Sequence, residues 1–303
     1  MSEQLELWET PQQEDCYLVA GWQQWADAGA ASSELPRYLI ELTHATRIGR
    51  IRSDGFYLFQ VPGMHQLMRP KVKLVNGYRE QMSEHHNELY RAELGDKHLY
   101  IFCGEEPQLA EELYASLFFE MVQALKVKRV VALGGVYGPV PYQKEREVSC
   151  VYSLPTMLRS LQDLALTLSN YEGAATLCTW LAHKAESLGI EYMALYAFVP
   201  AYEMAALAPD LMRIEEDYRA WHGLLRRVAY MADVPIDLAE LEHRSRDLMA
   251  KWSAEIDTIA REHPEAHIRA YLQAISSAFE EHPFMPLDSA WDELGDLLTG
   301  MEN

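Results

Sequence analysis

The sequence predicts an α/β fold, with a mixed central sheet flanked by helices and a helical C-terminal extension. Three observations lead to this prediction. Short apolar runs alternate with helical stretches over the first two thirds of the chain, as in α/β layer sandwiches. Strand-like runs cluster near residues 46–75, which indicates that part of the sheet is antiparallel. After about residue 208 only helical patterns follow. We therefore predict an α/β core over residues 1–208 and a helical extension, packed on the core, over residues 209–303.

Eight short runs are predicted as strands because they are apolar and rich in β-branched or aromatic residues. They are residues 16–20, 46–51, 55–61, 71–75, 97–103, 127–133, 148–152 and 191–199. The sixth run leads directly into Gly134-Gly135 and then Pro139-Val140-Pro141. A buried strand that ends at paired glycines is typical of the carboxyl edge of an α/β sheet, where such folds bind ligands.

Helices are predicted over residues 27–43, 107–126 and 174–188 of the core. Asp27 is suited to cap a helix over residues 28–42, and Pro107 suits a first helical turn. In the extension, Pro235, Pro264 and Pro283 mark helix boundaries. The predicted extension helices are residues 209–231, 236–262, 264–281 and 287–299.

Charge and cysteine content exclude several classes of protein. The formal net charge is −20, and residues 201–303 carry 9 Lys and Arg against 21 Asp and Glu. Such an acidic chain repels the phosphates of nucleic acids and anionic membranes, so we expect neither as a partner. The four cysteines are isolated, and the start of the chain has no basic region followed by an apolar one. We therefore expect a cytoplasmic protein with reduced thiols.

Motifs for nucleotides, metals and hydrolysis are missing. The glycines at 134, 135 and 138 satisfy neither GxxxxGK[ST] nor GxGxxG, and Pro139 and Pro141 oppose the helix that a phosphate loop needs. His85 and His86 lie beside Glu84 and Glu88, but neighbours on a helix point about 100° apart. We interpret them as a polar surface, and we predict no metal, no cofactor and no catalytic residue.

The candidate ligand-binding residues lie at predicted strand or helix ends and, apart from one tryptophan, are glycines or glutamates. At Glu105-Glu106 the carboxylates suit either acid–base chemistry or charge stabilisation of the helix that begins at Pro107. The turn Tyr171-Glu172-Gly173 suits close approach of either a ligand or another subunit. The full set is Gly21, Trp22, Glu105, Gly134, Gly135, Glu172 and Gly173.

Short motifs along the chain resemble, in order, those of the proteasome assembly chaperone family, in the group related to its second subunit and its bacterial and archaeal relatives. The resemblance covers residues 16–259, approximately. Its stations are Gly21-Trp22, Asp27-Ala28-Gly29-Ala30-Ala31-Ser32, Arg69-Pro70 before Gly77, Gly104-Glu105-Glu106-Pro107, Leu133-Gly134-Gly135 with Pro139-Val140-Pro141, Tyr171-Glu172-Gly173, and Val199-Pro200-Ala201-Tyr202.

The resemblance implies a fold similar to purine nucleoside phosphorylases and self-assembly into symmetric rings, with trimers favoured. It implies a scaffold role in assembly and establishes no enzymatic activity. This chain departs from the family in having Tyr142-Gln143-Lys144-Glu145 where relatives often have His-Thr-Arg-Pro, and Ala201 in place of a histidine. It also ends in Gly300-Met301-Glu302-Asn303, without the hydrophobic-tyrosine tail with which some relatives dock on proteasomes.

Two functional hypotheses follow. The first is a non-enzymatic, self-assembling scaffold or assembly-chaperone-like protein, a homo-oligomer with a further protein partner still to be identified. Aromatic residues of its loops, Trp22, Trp25, Tyr137 and Tyr142, would be buried between subunits. The alternative is a small-ligand binder or an enzyme of nucleoside-phosphorylase type that uses the strand ends. Lys144 and Arg146 offer the positive charge near those loops.

Overall fold

A computed structural model describes residues 3–9, 15–60, 69–202 and 212–285 of the chain. The strands are β1 (Leu5–Leu7), β2 (Tyr17–Gln23), β3 (Thr46–Ile51), β4 (Val72–Val75), β5 (Tyr78–Met82), β6 (Glu88–Leu94), β7 (Lys97–Glu105), β8 (Arg129–Gly138), β9 (Val148–Tyr152), β10 (Thr167–Leu168), β11 (Tyr192–Tyr202) and β12 (Met212–Arg213). The helices are α1 (Glu34–Thr43), α2 (Glu111–Ala124), α3 (Leu158–Leu161), α4 (Leu177–Leu188), α5 (Tyr218–Ala232), α6 (Ala239–Glu262) and α7 (Ile268–Ala278).

The main sheet is mixed, as predicted. Its strand order is β1-β3-β6-β7-β2-β8-β11-β9-β10, and β12 pairs with β11. The four central strands, β7, β2, β8 and β11, run parallel, whereas β6, β3 and β1 are antiparallel additions on one side. The carboxyl ends of the parallel strands therefore share one edge of the sheet. Strands β4 and β5 form a separate hairpin.

Both faces of the sheet are buried, because alternate residues of the central strands enter two different cores. Val19 and Val131 face one core, which α1, α5 and α6 complete. Leu18 and Val130 face the other core, which α2 and α4 complete. Burial on both faces explains why the central strands are almost continuously apolar in sequence.

The first predicted helix starts later than expected. Asp27 does not cap a helix over residues 28–42, because the chain makes only a short 3-10 turn at Ala28–Ala30 before α1 begins. Gly29 has a φ of 63°, in the left-handed region, which interrupts the helix. The carboxylate of Asp27 instead accepts hydrogen bonds from the amides of Ser32 and Ser33, at 2.8 and 2.9 Å.

The strand predicted over residues 55–61 is wrong across its described part. Residues 52–60 form turns and irregular backbone around the buried ring of Phe56, while residue 61 lies outside the described residues. Strands β1, β5, β6, β10 and β12 were not predicted. Strand β6 mixes charged and apolar residues because one of its faces is only partly covered.

Helices α5, α6 and α7 contribute to the core that covers one face of the sheet, the one that contains Val19 and Val131. Asp217 caps α5 through hydrogen bonds from the amides of Arg219 and Ala220. Trp221 and Trp252 are buried members of that core. The helix predicted over residues 287–299 lies outside the described residues, as does the proposed boundary at residue 208, so the division into two domains stays a prediction.

Candidate functional site

The end of β2 is covered by a loop of the same chain. At Gly21, a Cβ atom would lie 2.1 Å from the carbonyl oxygen of Ser32, so only glycine lets this loop cross the strand. The side chain of Trp22 is fully buried, and its Nε1 donates a hydrogen bond to the hydroxyl of Tyr114 at 2.8 Å. In this structure both residues make close packing contacts and neither offers surface to solvent.

The glycine pair of β8 also makes room for the chain itself. A Cβ atom on Gly135 would lie 2.0 Å from the carbonyl oxygen of Ala28, and one on Gly134 would lie 2.6 Å from the ring of Tyr196. The amide of Gly135 donates to the carbonyl oxygen of Ala26 at 3.0 Å. The space above these glycines is therefore filled by residues 26–28.

Glu105, the last residue of β7, is the centre of a polar group that we call the Glu105 cluster, made of Tyr57, His85, His86, Asn87 and Glu105. Nδ1 of His85 lies 2.5 Å from one carboxylate oxygen of Glu105, and Nδ1 of His86 lies 3.1 Å from the other. Burial raises the pKa of Glu105, but the hydrogen bonds from His86 and His85 outweigh it, and the net pKa lies below the ordinary value. The cluster therefore holds this carboxylate ionised.

His86 also connects Glu105 to α1. Its Nε2 lies 2.6 Å from a guanidinium nitrogen of Arg37. Since a guanidinium can only donate, this ring nitrogen accepts, and the proton of the neutral ring is on Nδ1, which faces Glu105. Arg37, His86 and Glu105 thus form a polarised chain of hydrogen bonds.

A second chain of hydrogen bonds fixes the backbone of Glu105. Nδ2 of Asn87 donates to the hydroxyl of Tyr57 at 2.9 Å, and that hydroxyl donates to the carbonyl oxygen of Glu105 at 2.8 Å. Oδ1 of Asn87 accepts from the hydroxyl of Tyr114 at 2.8 Å. The ring of Tyr57 stacks on His85 with centroids 4.1 Å apart. The carboxylate is thus occupied on both oxygens, which suits it to anchoring the segment before β6 rather than to proton transfer.

The interpretation of His85 and His86 as a helical polar surface was wrong. Residues 83–87 are not helical, so the 100° argument does not apply, and both rings turn toward one carboxylate. The contact depends on the antiparallel pairing of β6 with β7, which sets Glu88 opposite Cys103. No local motif in the sequence signals that pairing. In β6, charged residues lie between the apolar ones, so its sequence is not the apolar run that predicts a buried strand.

A smaller polar cluster lies between β2 and α4. Nε2 of Gln24 donates to Oγ of Ser32 at 2.8 Å and to the sulfur of Cys178 at 3.1 Å. Burial raises the pKa of Cys178 to about 12, so its thiol is not activated for nucleophilic chemistry. The side-chain oxygen of Gln24 is buried and has no hydrogen-bond partner among the residues that the structure describes.

The proline-rich loop after β8 is bound to the extension helices. The guanidinium of Arg146 donates to the carboxylate of Asp217 at 2.7 Å, with both side chains almost completely buried. It also donates to the carbonyl oxygens of Tyr142 and Lys144, at 3.0 and 2.9 Å. Arg146 is thus used inside the fold and is not free to bind phosphate.

The remaining candidates and aromatic residues are dispersed. Glu172 and Gly173 lie in an exposed loop before α4. Of the aromatic residues expected at a subunit interface, Trp22 and Tyr142 are buried in the chain's own cores, which corrects that expectation for these two. Trp25 is 69% exposed and available for contact.

The described residues show neither a metal-binding cluster nor a membrane-spanning helix. They contain no group of three or more His, Cys, Asp or Glu side chains arranged to hold a metal ion. In the same part of the chain, no helix combines the length and the apolar character that crossing a bilayer requires.

Comparison with known proteins identifies the family. The model of the PAC2 family matches residues 21–256. A PAC2 family protein from Streptomyces avermitilis is 25% identical, with a TM-score of 0.68 over 82% of this chain and 99% of that chain. No curated protein matches the sequence.

Two further solved structures share the fold. A proteasome-assembly chaperone homologue from Mycobacterium tuberculosis is 22% identical, with a TM-score of 0.67 over 78% of this chain and 94% of that one. An archaeal proteasome activator from Pyrococcus furiosus is 16% identical, with a TM-score of 0.59 over 82% and 97% of the two chains. The family match over most of the chain, together with these folds, confirms the resemblance seen in the sequence: the chain belongs to the PAC2 family.

Proposed function

We propose that this chain is a non-enzymatic, self-assembling scaffold of assembly-chaperone type. Membership of the PAC2 family is the observation that carries the proposal. Two proteins of similar fold are named for a role with the proteasome, one as a proteasome-assembly chaperone homologue and one as a proteasome activator. The proposal includes a homo-oligomer, with a trimer favoured, and a cytoplasmic location.

The geometry of the strand ends supports a scaffold over an enzyme. Ligands of open α/β folds bind at this edge of the sheet. Here the space above Gly21 and Gly135 is filled by the loop that follows β2, and Glu105 is bound by two imidazoles. Two surface cavities, of about 500 and 590 Å³, are lined instead by residues of the helices, of the C-terminal segment and of the connections next to β9, β10 and β12.

Solution mass tests the proposal directly. We expect the full chain to sediment as a closed oligomer, and affinity capture from a native lysate of the source organism to retain a defined protein partner. A strict monomer at micromolar concentration that captures no partner would contradict the scaffold role.

One observation favours a second candidate, a small-ligand binder that uses the cluster around Gln24. Its buried side-chain oxygen lacks a hydrogen-bond partner in the described chain, and an unpaired buried oxygen is costly. Thermal-shift measurements with nucleosides, inorganic phosphate and adenine nucleotides separate the candidates. A stabilising shift that is lost in Gln24→Leu would favour the binder, and no shift with any of them would exclude it.

A further inference from the structure

A two-stranded hairpin lies between β3 and β6 in the chain, directly before the Glu105 cluster. Within the described part of the chain, strands β4 and β5 pair only with each other, and all residues from 71 to 84 are exposed. Asn76 and Gly77 form the tip, with φ of 49° and 79°, as a two-residue hairpin turn requires. Hydrogen bonds of 2.8 and 2.9 Å between Lys71 and Ser83 close the base. We call residues 71–83 the hairpin arm.

The hairpin arm carries more apolar side chains than a solvated hairpin needs. An isolated pair of strands is marginally stable in water, and stability usually requires packing against another element. Clustered exposed apolar side chains mark interaction sites. The exposed apolar residues of the arm are Val72, Leu74 (59%), Val75, Tyr78 (77%) and Met82. We therefore expect another protein surface to cover these apolar side chains.

The charge of the hairpin arm indicates what covers it. The arm has three basic residues, Lys71, Lys73 and Arg79, and one acidic residue, Glu80, in a chain whose net charge is −20. A basic, apolar arm is complementary to an acidic surface with an apolar centre. The same chain presents such a surface.

We call that surface the acceptor face; it consists of Trp25 and residues 106–113. Residues 106–113 contain three glutamates and no lysine or arginine. The amide of Trp25 donates to the carboxylate of Glu106 at 3.2 Å, which places an exposed indole beside a carboxylate. Leu109, just before α2, is 41% exposed, and Leu113, in the first turn of α2, is 44% exposed. Both lie next to Glu111 and Glu112 in the chain. The face thus has apolar side chains bordered by negative charge.

We propose that the hairpin arm of one copy of this chain docks on the acceptor face of the next copy. The arm and the face are different surfaces of one molecule, so the contact is heterologous and closes into a ring when the rotation between copies permits. The inference rests on the proposed self-assembly and names the surfaces that perform it. In this arrangement the Glu105 cluster holds the arm in position, because His85 and His86 directly after the arm bind Glu105 at the end of β7.

Charge reversal with restoration tests this docking. Lys71→Glu with Arg79→Glu makes the arm acidic and leaves the Lys73–Glu80 pair across the hairpin intact. Glu106→Lys with Glu111→Lys makes the face basic. Glu112 is left unchanged because it pairs with Lys184 at 2.6 Å. We expect either double variant to weaken self-association by roughly a hundredfold or more, because like charges then meet across the interface. The quadruple variant, with both charges exchanged, is expected to assemble again.

A matched control and an apolar variant complete the test. Arg246→Glu with Lys251→Glu makes the same charge change on the exposed face of α6 and is expected to leave the mass unchanged. Leu74→Ser with Tyr78→Ser is expected to dissociate the oligomer, while circular dichroism stays that of the wild type because both side chains are exposed.

The outcomes separate this inference from the proposed function. The docking would be overturned if the wild type is an oligomer and either double variant keeps the same mass, or if the quadruple variant stays dissociated. Both results would leave the scaffold proposal standing. A monomeric wild type would overturn both, and would assign the arm to a different protein.

Discussion

At the scale of the residue, Gly135 shows that the strand-end glycines are set by packing. Its Cβ position lies 2.0 Å from the carbonyl oxygen of Ala28, whereas the nearest atom to a Cβ on Gly138, three residues later, is 3.6 Å away. Neither glycine has a positive φ. The two positions therefore differ in available space and not in backbone strain.

Gly135→Ala is expected to destabilise the fold by about 1–3 kcal/mol, the usual cost of overpacking, because the added methyl group must displace backbone. Gly138→Ala is the matched control and is expected to have little effect. Urea unfolding followed by tryptophan fluorescence measures both. Equal stability of the two variants would show that the loop over β8 is not packed as described.

Glu105 is the second residue with a testable role, through its lowered pKa. A carboxyl whose pKa falls on folding contributes stability above its unfolded pKa, near 4.5, and loses it as pH falls through the lower folded value. We expect Glu105→Gln to be less stable than the wild type at pH 7 and pH 5, and this difference to shrink below pH 4.5. Glu255→Gln, on the exposed side of α6, is the control. A difference that stays constant with pH would contradict the ionised cluster.

At the scale of the element, the Arg146–Asp217 pair joins the loop after β8 to α5. Both groups are buried, so removing one leaves the other charge without compensation. We expect Arg146→Ala to cost about 3–5 kcal/mol of unfolding free energy. Arg269→Ala removes an exposed pair with Asp257 and is expected to cost less than about 1 kcal/mol. Similar costs for the two variants would refute the role of Arg146 in joining the loop after β8 to α5.

The elements also show how much the sequence can predict. Strands β2, β8 and β11 were predictable because burial on both faces requires continuous apolar runs. Strand β5 follows Asn76-Gly77, a dipeptide typical of two-residue hairpin turns, so the sequence does carry a signal for this strand. The contact of His85 and His86 with Glu105 was not predictable, because it joins residues 20 and 19 positions apart through a pairing that leaves no local pattern. The filling of the space over Gly135 likewise depends on where a distant loop crosses.

At the scale of the whole molecule, charge and apolar surface are distributed unevenly. A basic hairpin arm projects from an acidic chain, and an acidic face with an exposed tryptophan lies at the carboxyl edge of the sheet. This polarity is of the kind that directs like molecules to associate head to tail. We expect high salt to weaken that association, because the rim charges are exposed and therefore screened. Sedimentation at low and high salt measures this, and a mass that is independent of salt would argue against electrostatic pairing.

Self-assembly is tested most directly by the mass of the wild-type chain in solution, measured by sedimentation equilibrium across micromolar concentrations. Self-assembly predicts a species of a whole-number multiple of 34.7 kDa, with three times that mass favoured. A mass of 34.7 kDa at every concentration would contradict it.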